Sequence, residues 1–173
     1  TMNSNPYQKH NPLKAVFMGT PGFAATHLEA LLQHQDLVSV KAVYTQPDRP
    51  RGRSRVPSPS EVKEVAQAYQ LPVVQVENFR TEESLAELNS FSPDILIVVA
   101  YGMILPPMVL SIPSYGAINI HASLLPKYRG ASPIQYALLN GDSLTGVTSF
   151  LLDPGVDTGH ILLQKETRIT FQD

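Results

Sequence analysis

The stretch ILIVV, residues 95–99, consists of five apolar residues in succession, and four of them are β-branched. A strand with one face in solvent alternates apolar and polar residues, whereas a strand buried on both faces is continuously apolar. The segment therefore predicts an interior strand of a parallel sheet that helices cover on both sides.

Strand-like and helical patterns alternate on both sides of this segment. Thr20 is expected to cap the first helix and Pro21 to lie in its first turn. Ser60 and Thr81 begin two more helices, and Ser132–Leu139 is predicted to be helical. The alternation predicts an α/β, Rossmann-like open and mostly parallel sheet, with ligands bound at the carboxyl ends of its strands. The predicted strands are Leu13–Met18, Val38–Tyr44, Pro72–Val76, Ile95–Val99, Ala117–Ile120, Gly146–Leu152 and Ile161–Arg168.

Length and composition exclude several classes of protein. A chain of 173 residues is expected to form one domain, and the absence of Cys excludes disulfides and thiolate catalysis. No apolar run reaches the length of a membrane span, and residues 3–12 lack the apolar core of a signal peptide. We expect a cytoplasmic protein whose residues 1–12 are a tag remnant and a flexible N-terminus.

A segment rich in Pro and Arg interrupts the pattern at residues 46–59 and is predicted to be a loop. Residues 48–57 hold four Arg and one Asp, so their net charge is +3, while the whole chain carries −2. Arginines in a polar loop bind phosphates, so the loop is a candidate nucleic-acid contact. A solvated, mobile loop without a ligand is the other interpretation.

Asn119 lies in the predicted strand Ala117–Ile120 and His121 directly follows it, and two residues so spaced in an extended segment are expected to have their side chains on one face. An amide can stabilise an oxyanion and an imidazole can donate a proton, which suits reactions at a carbonyl group. The Gly-rich stretch DPGVDTG, residues 153–159, offers carboxylates that could orient the imidazole. A structural His and a turn-forming Asp are the alternatives.

Two other types of site find little support. Gly19-x-x-Gly22 follows a strand, but it lacks the spacing of a dinucleotide-binding loop, so a tight strand-to-helix turn is favoured. The five His include no H-x-x-x-H pair, so no metal site is predicted.

Several motifs together resemble the folate-dependent formyltransferase family. They are Asn119-x-His121, SLLP at residues 123–126, YRGASPIQ at 128–135 and DPGVDTG at 153–159. The opening VFMGTPGFA and the segment YTQPDRPRGR are similar to the branch of the family that acts on tRNA. The resemblance runs from about Leu13 to the last residue.

The resemblance implies transfer of a formyl group from 10-formyltetrahydrofolate to the α-amino group of methionine on initiator tRNA. It implies that Asn119 binds the formyl oxygen, that His121 is the general acid and that Asp157 pairs with the imidazole. The arginines expected to bind tRNA are Arg49, Arg51, Arg53 and Arg55. The residues expected to bind the reduced folate are Met103, Ile104, Leu105, Ser123, Leu124, Leu125, Pro126, Pro154, Gly155 and Val156.

The family's tRNA enzymes also imply a second domain that grips tRNA. Residues 13–173 are therefore expected to be a catalytic domain that is truncated at its C-terminal end, with the second domain absent. Two alternatives remain open. One is a related formyltransferase or formylfolate hydrolase that acts on a small amine or on water, and the other is a non-catalytic α/β binding module.

Overall fold

The computed structural model describes residues 11–121, 144–151 and 161–168. Within them a seven-stranded sheet is formed by β1 (Leu13–Gly19), β2 (Val38–Tyr44), β5 (Val73–Val74), β6 (Ile95–Val99), β7 (Ala117–His121), β8 (Leu144–Leu151) and β9 (Ile161–Arg168). A separate two-stranded hairpin consists of β3 (Arg49–Pro50) and β4 (Pro57–Ser58). The helices are α1 (Gly22–Leu32), α2 (Glu61–Ala68), α3 (Glu82–Ser90) and α4 (Pro107–Leu110).

The strand order of the large sheet is β5-β2-β1-β6-β7-β8-β9. The first five of these strands are parallel, whereas β8 and β9 are each antiparallel to the strand before them. The predicted open and mostly parallel sheet is confirmed. From β1 the chain proceeds first toward β2 and β5 and later toward β6 and β7, so the order reverses between β1 and β6. Ligands bind at such a reversal in open α/β sheets.

Two apolar cores cover the two faces of the sheet. On one face, α1 and α2 pack on the sheet through Leu28 and Val62, which meet Phe17 of β1. On the other face, Leu88 of α3 and the turn at α4 pack against side chains such as Met18. All five residues of β6 are buried, as their unbroken apolar character predicts.

The helix boundaries confirm two predicted caps and correct a third. The hydroxyl oxygens of Ser60 and Thr81 accept from the backbone N–H groups three residues later and begin α2 and α3. Thr20 does not cap α1; Pro21 occupies the N-cap position and makes no side-chain capping hydrogen bond. The Thr20 hydroxyl instead donates to the carbonyl oxygen of Tyr101 at 2.9 Å, so a tertiary contact replaces the local one.

Other predictions need smaller corrections. The predicted loop at residues 46–59 contains the hairpin of β3 and β4, and the predicted strand Pro72–Val76 is reduced to the two residues of β5. Helix α4 was not predicted. The predicted helix Ser132–Leu139 lies outside the described residues.

Candidate functional site at the carboxyl edge of the sheet

The carboxyl ends of β1 and β6 meet without space for a side chain between them. A β-carbon added at Gly19 would lie 2.6 Å from the carbonyl oxygen of Val99 and 2.7 Å from the β-carbon of Ala24. The favoured interpretation of Gly19-x-x-Gly22 as a tight turn fits this geometry. The bond from Thr20 to Tyr101 then joins the loops that follow the two strands.

The loop after β6 has an unusual backbone. Ala100 has a φ of 47°, in the left-handed region that costs a non-glycine residue free energy, and Gly102 has a φ of 88°. Such conformations cluster at functional sites because the surrounding structure must enforce them. The expected folate-contacting residues Met103, Ile104 and Leu105 follow directly on this turn.

The three expected folate contacts in this loop differ in exposure. The side chain of Ile104 is 71% exposed, whereas Leu105 is only 3% exposed and belongs to the apolar core. Met103 is half-buried against the same core. A ligand beside this loop can therefore reach the side chain of Ile104, while Leu105 can offer it only backbone atoms.

Asn119 and His121 both belong to β7, so the predicted strand Ala117–Ile120 is confirmed and extends one residue further, to His121. Asn119 pairs with Val98 of β6 and with Phe150 of β8, which places it close to the carboxyl end of β6 and half-buried. His121 is the last residue of β7 and pairs with Thr148. The strand thus brings both residues to the edge of the sheet where the order reverses.

The remaining residues expected to act in catalysis or to bind folate lie outside the described residues. Asp157, the expected partner of His121, lies outside the described residues. The same is true of seven expected folate contacts, which are Ser123, Leu124, Leu125, Pro126, Pro154, Gly155 and Val156.

The arginine hairpin, residues 49–58, divides its four Arg into two pairs. Arg49 donates to the side-chain oxygen of Gln46 at 3.2 Å. Arg51 donates to Glu61 at 3.0 Å and to the carbonyl oxygen of Pro59. Arg53 and Arg55 lie near the turn of the hairpin, where Gly52 has a φ of 58°, and their side chains are exposed. The first pair is held in place, and the second extends into solvent.

An ion-pair cluster at the base of the hairpin was not predicted from the sequence. Both carboxylate oxygens of Asp48 accept from the Lys63 ammonium at 3.1 Å, and Oδ1 accepts from the Gln75 amide at 2.6 Å. The hydrogen bond from Gln75, followed by that from Lys63, lowers the pKa of Asp48 below its ordinary value. The carboxylate is therefore charged at neutral pH, and it fastens the start of the hairpin to α2 and to the segment after β5.

A groove of about 350 Å³ lies between this hairpin and the β1–α1 turn. The guanidinium groups of Arg49 and Arg51 place positive charge beside the groove, which favours an anion such as a phosphate. The residues lining it are Thr20, Gln46, Pro47, Arg49, Arg51, Ser58 and Ser60.

Two buried tyrosines flank the same edge but are unsuited to proton transfer. Tyr44 ends β2 and Tyr101 follows β6, and the ring of Phe79 lies 5.9 Å from the first and 6.5 Å from the second. Burial raises the pKa of both phenols well above the ordinary value. Both groups therefore stay protonated at neutral pH and serve the core.

The described ranges contain no group of three or more His, Asp or Glu residues that could hold a metal ion. Nor does any helix within these ranges combine the length and the apolar character needed to cross a membrane.

Comparison of the sequence with known proteins identifies curated relatives at about half identity. The chain is 52% identical over 162 residues to the methionyl-tRNA formyltransferase of Pseudomonas savastanoi pv. phaseolicola. It is 51% identical over 163 residues to the enzyme of that name from Legionella pneumophila strain Paris. Each match covers 94% of this chain and 51% of the relative, so the chain spans about half the length of the curated relatives it matches.

Solved structures of other formyltransferases share the fold. A phosphoribosylglycinamide formyltransferase from Bacillus halodurans superposes with a TM-score of 0.72 at 24% identity, over 92% of this chain and 82% of that one. A glycinamide ribonucleotide transformylase from Symbiobacterium toebii gives a TM-score of 0.73 at 18% identity, over 100% and 81%. At these identities the likeness concerns the fold alone. The profile of the formyl transferase family, however, matches residues 13–173, and the chain therefore belongs to that family.

Proposed function

We propose that this chain carries the catalytic site of a methionyl-tRNA formyltransferase. The observation that carries the proposal is about 50% identity to enzymes of that name over nearly all of the chain. The reaction is formyl transfer from 10-formyltetrahydrofolate to the α-amino group of methionine on initiator tRNA, a step of translation initiation. That role assigns the protein to the cytoplasm, and residues 13–173 to its catalytic domain.

The chemical step is attack of the methionine nitrogen on the formyl carbon of the folate. The carbonyl oxygen then becomes an oxyanion, and Asn119 is assigned to stabilise it through its side-chain amide. The bond from the formyl carbon to the folate nitrogen breaks next, and His121 is assigned to donate a proton to that leaving nitrogen. The position of Asn119 beside the carboxyl end of β6 supports this assignment.

Asp157 is assigned to pair with the His121 imidazole. A carboxylate beside an imidazole favours the charged, proton-donating form of the ring. The attacking ammonium group must also lose a proton, and the same carboxylate is the proposed route for it. The assignment rests on the DPGVDTG motif alone.

The reduced folate is assigned to the loop after β6, residues 100–105. The expected contacts Met103, Ile104 and Leu105 form the end of this loop. The strained backbone at Ala100 and the exposed side chain of Ile104 support a binding role for this loop. Ile104 would pack against the folate, while Leu105 would take part through its backbone.

The initiator tRNA is assigned to the arginine hairpin. The four Arg side chains of the hairpin are exposed, and two of them, Arg49 and Arg51, line the adjoining groove, where a guanidinium can hold a phosphate through paired hydrogen bonds. The local charge of +3 in a chain of charge −2 supports contact with a polyanion at this position. Part of the tRNA surface is expected on the remaining half that the curated relatives possess.

The test compares three formyl acceptors offered to the full-length protein. 10-Formyltetrahydrofolate carrying a labelled formyl group is offered with methionyl-tRNA, with glycinamide ribonucleotide or with water alone. We expect the label on the methionine nitrogen, with little transfer to the ribonucleotide and little free formate. Transfer to the small amine, or release of formate at a comparable rate, would favour the related formyltransferase or the hydrolase. No consumption of the donor would favour a binding module.

A further inference from the structure

The Thr20 hydroxyl joins three loops at the carboxyl edge of the sheet. It donates to the carbonyl oxygen of Tyr101 at 2.9 Å, and it accepts from the backbone N–H of Gln46 at 3.4 Å. Tyr101 belongs to the loop assigned to the folate, and Gln46 belongs to the segment that leads into the arginine hairpin. One half-buried side chain thus bonds both segments.

The side chain of Gln46 makes a second link between the same two segments. Its oxygen accepts from Arg49 at 3.2 Å. Its nitrogen is packed against Gly102, because a β-carbon at Gly102 would lie only 2.8 Å from it. A change in the position of Arg49 therefore reaches the turn before Met103 through a single side chain.

The Gln46 backbone is held on its other side as well. Its carbonyl oxygen accepts from the Gln75 amide at 3.2 Å, and the same amide donates to Asp48. One Gln75 side chain therefore ties both the Gln46 backbone and Asp48 at the base of the hairpin.

From these contacts we infer that Thr20 and Gln46 act as positioning residues that couple the two substrate sites. RNA bound to the arginine hairpin acts on Arg49, and through the contacts of Gln46 and Thr20 it favours the arrangement of the loop at residues 100–105 that receives the folate. By linkage, each ligand then raises the affinity of the protein for the other. The inference rests on the proposed function, because it uses the folate and tRNA assignments.

The experiment measures binding with no reaction in progress, in the full-length protein. The dissociation constant of a reduced folate without a transferable formyl group is determined alone and with saturating uncharged initiator tRNA. We expect tRNA to lower the folate Kd at least about fivefold, and the folate to lower the tRNA Kd by the same factor. Thr20→Val and Gln46→Ala are each expected to bring this ratio close to one.

Two matched substitutions serve as controls. Thr26 is exposed on α1, and its hydroxyl donates to the carbonyl oxygen of Gly22 in the same helix. The Gln33 amide donates to the Tyr69 hydroxyl at 3.2 Å, away from the junction. Thr26→Val and Gln33→Ala should therefore keep the wild-type ratio of folate Kd values. If the ratio fell through a general loss of stability, the control variants and the junction variants would lose it alike.

The outcomes separate the coupling from the proposed function. A wild-type ratio near one, with both ligands bound, would overturn the coupling alone, as would an unchanged ratio in folded Thr20→Val and Gln46→Ala proteins. If Thr20→Val does not fold, the ratio of folate Kd values without and with tRNA in Gln46→Ala decides whether the coupling holds. A wild-type protein that binds no reduced folate would overturn the proposed function and the coupling with it.

Discussion

Gly19→Ala should destabilise the protein through a steric conflict that cannot relax locally. The added methyl group would lie 2.6 Å from the Val99 carbonyl oxygen, 2.7 Å from the Ala24 β-carbon and 2.9 Å from the Phe17 ring. The first two contacts are with β6 backbone and with an atom fixed to α1. Strand β1 must therefore move away from β6 and from α1 by several tenths of an ångström.

The expected cost is about 1–3 kcal/mol, the usual range for an overpacked core. For a domain of this size that corresponds to a fall in Tm of roughly 2–4 °C per kcal/mol. The same movement would separate Thr20 from Tyr101, so we also expect weaker folate binding.

Gly22→Ala is the matched control. A β-carbon at Gly22 meets no atom of the described residues within 4 Å, and the residue begins α1. Removing the freedom of a glycine that can accept a side chain stabilises a protein by about 0.4–1 kcal/mol. Urea unfolding of both variants, compared at constant m-value, gives the two changes. If Gly19→Ala were as stable as Gly22→Ala, the close contact between the ends of β1 and β6 would be refuted.

Three further predictions concern the hairpin and the core. Arg53→Ala with Arg55→Ala should weaken tRNA binding and flatten the slope of log affinity against log salt by about 0.7–0.9 per lost phosphate contact. Arg80, an exposed Arg that precedes α3 and lies outside the hairpin, is the control, and Arg80→Ala should leave the slope unchanged; an unaltered slope in the double variant would argue against the tRNA assignment. Asp48→Asn should lower the stability at neutral pH, because the folded protein depresses the pKa of this carboxyl group. The difference in free energy of unfolding between the wild type and Asp48→Asn should be complete above the ordinary pKa of 3.8 and should shrink as the pH falls through the lower pKa of the folded protein. Urea unfolding at several pH values measures this difference. A difference that stays constant in acid would contradict the ion pair. Tyr44→Phe should raise the free energy of unfolding by about 1 kcal/mol, since the buried hydroxyl has no hydrogen-bond partner among the described residues, and a loss of stability would reveal a partner.

The sheet could be predicted because its strands are specified locally. The predicted bounds of β2, β6 and β9 agree with the structure. Most residues of β2 and β6 are apolar, whereas β9 begins with three apolar residues and continues with mainly polar ones. Strand β5 has only two paired residues, and the side chain of Gln75, the residue that follows them, bonds Gln46 and Asp48. Periodicity cannot reveal such competition between the ladder and a tertiary contact.

Thr20 illustrates the same limit at a helix end. A Thr before a Pro at the start of a helical pattern predicts a cap, yet this hydroxyl bonds Tyr101, which lies 81 positions later in the chain. The choice depends on which acceptor the fold brings within reach. A local pattern therefore names the residue but cannot name its partner.

The candidate site was predictable only where it depends on residues that are close in the sequence. The spacing of Asn119 and His121 within one strand is a local property, and β7 confirms it. The Asp48 cluster joins residues that are 15 and 27 positions apart, and nothing in their spacing indicates contact. The role of the Asn119–His121 pair remains a prediction until its chemistry is measured.

The measurement that tests the central claim most directly is the single-turnover rate of formyl transfer to methionyl-tRNA by full-length His121→Ala protein. Loss of a general acid should lower the rate about 10²–10⁴-fold while the Kd of the reduced folate stays close to that of the wild type. His34→Ala, which changes an exposed His after α1, is the matched control and should leave the rate unaltered. A His121→Ala rate within about threefold of the wild-type rate, far below the loss expected for a general acid, would contradict formyl transfer by this site.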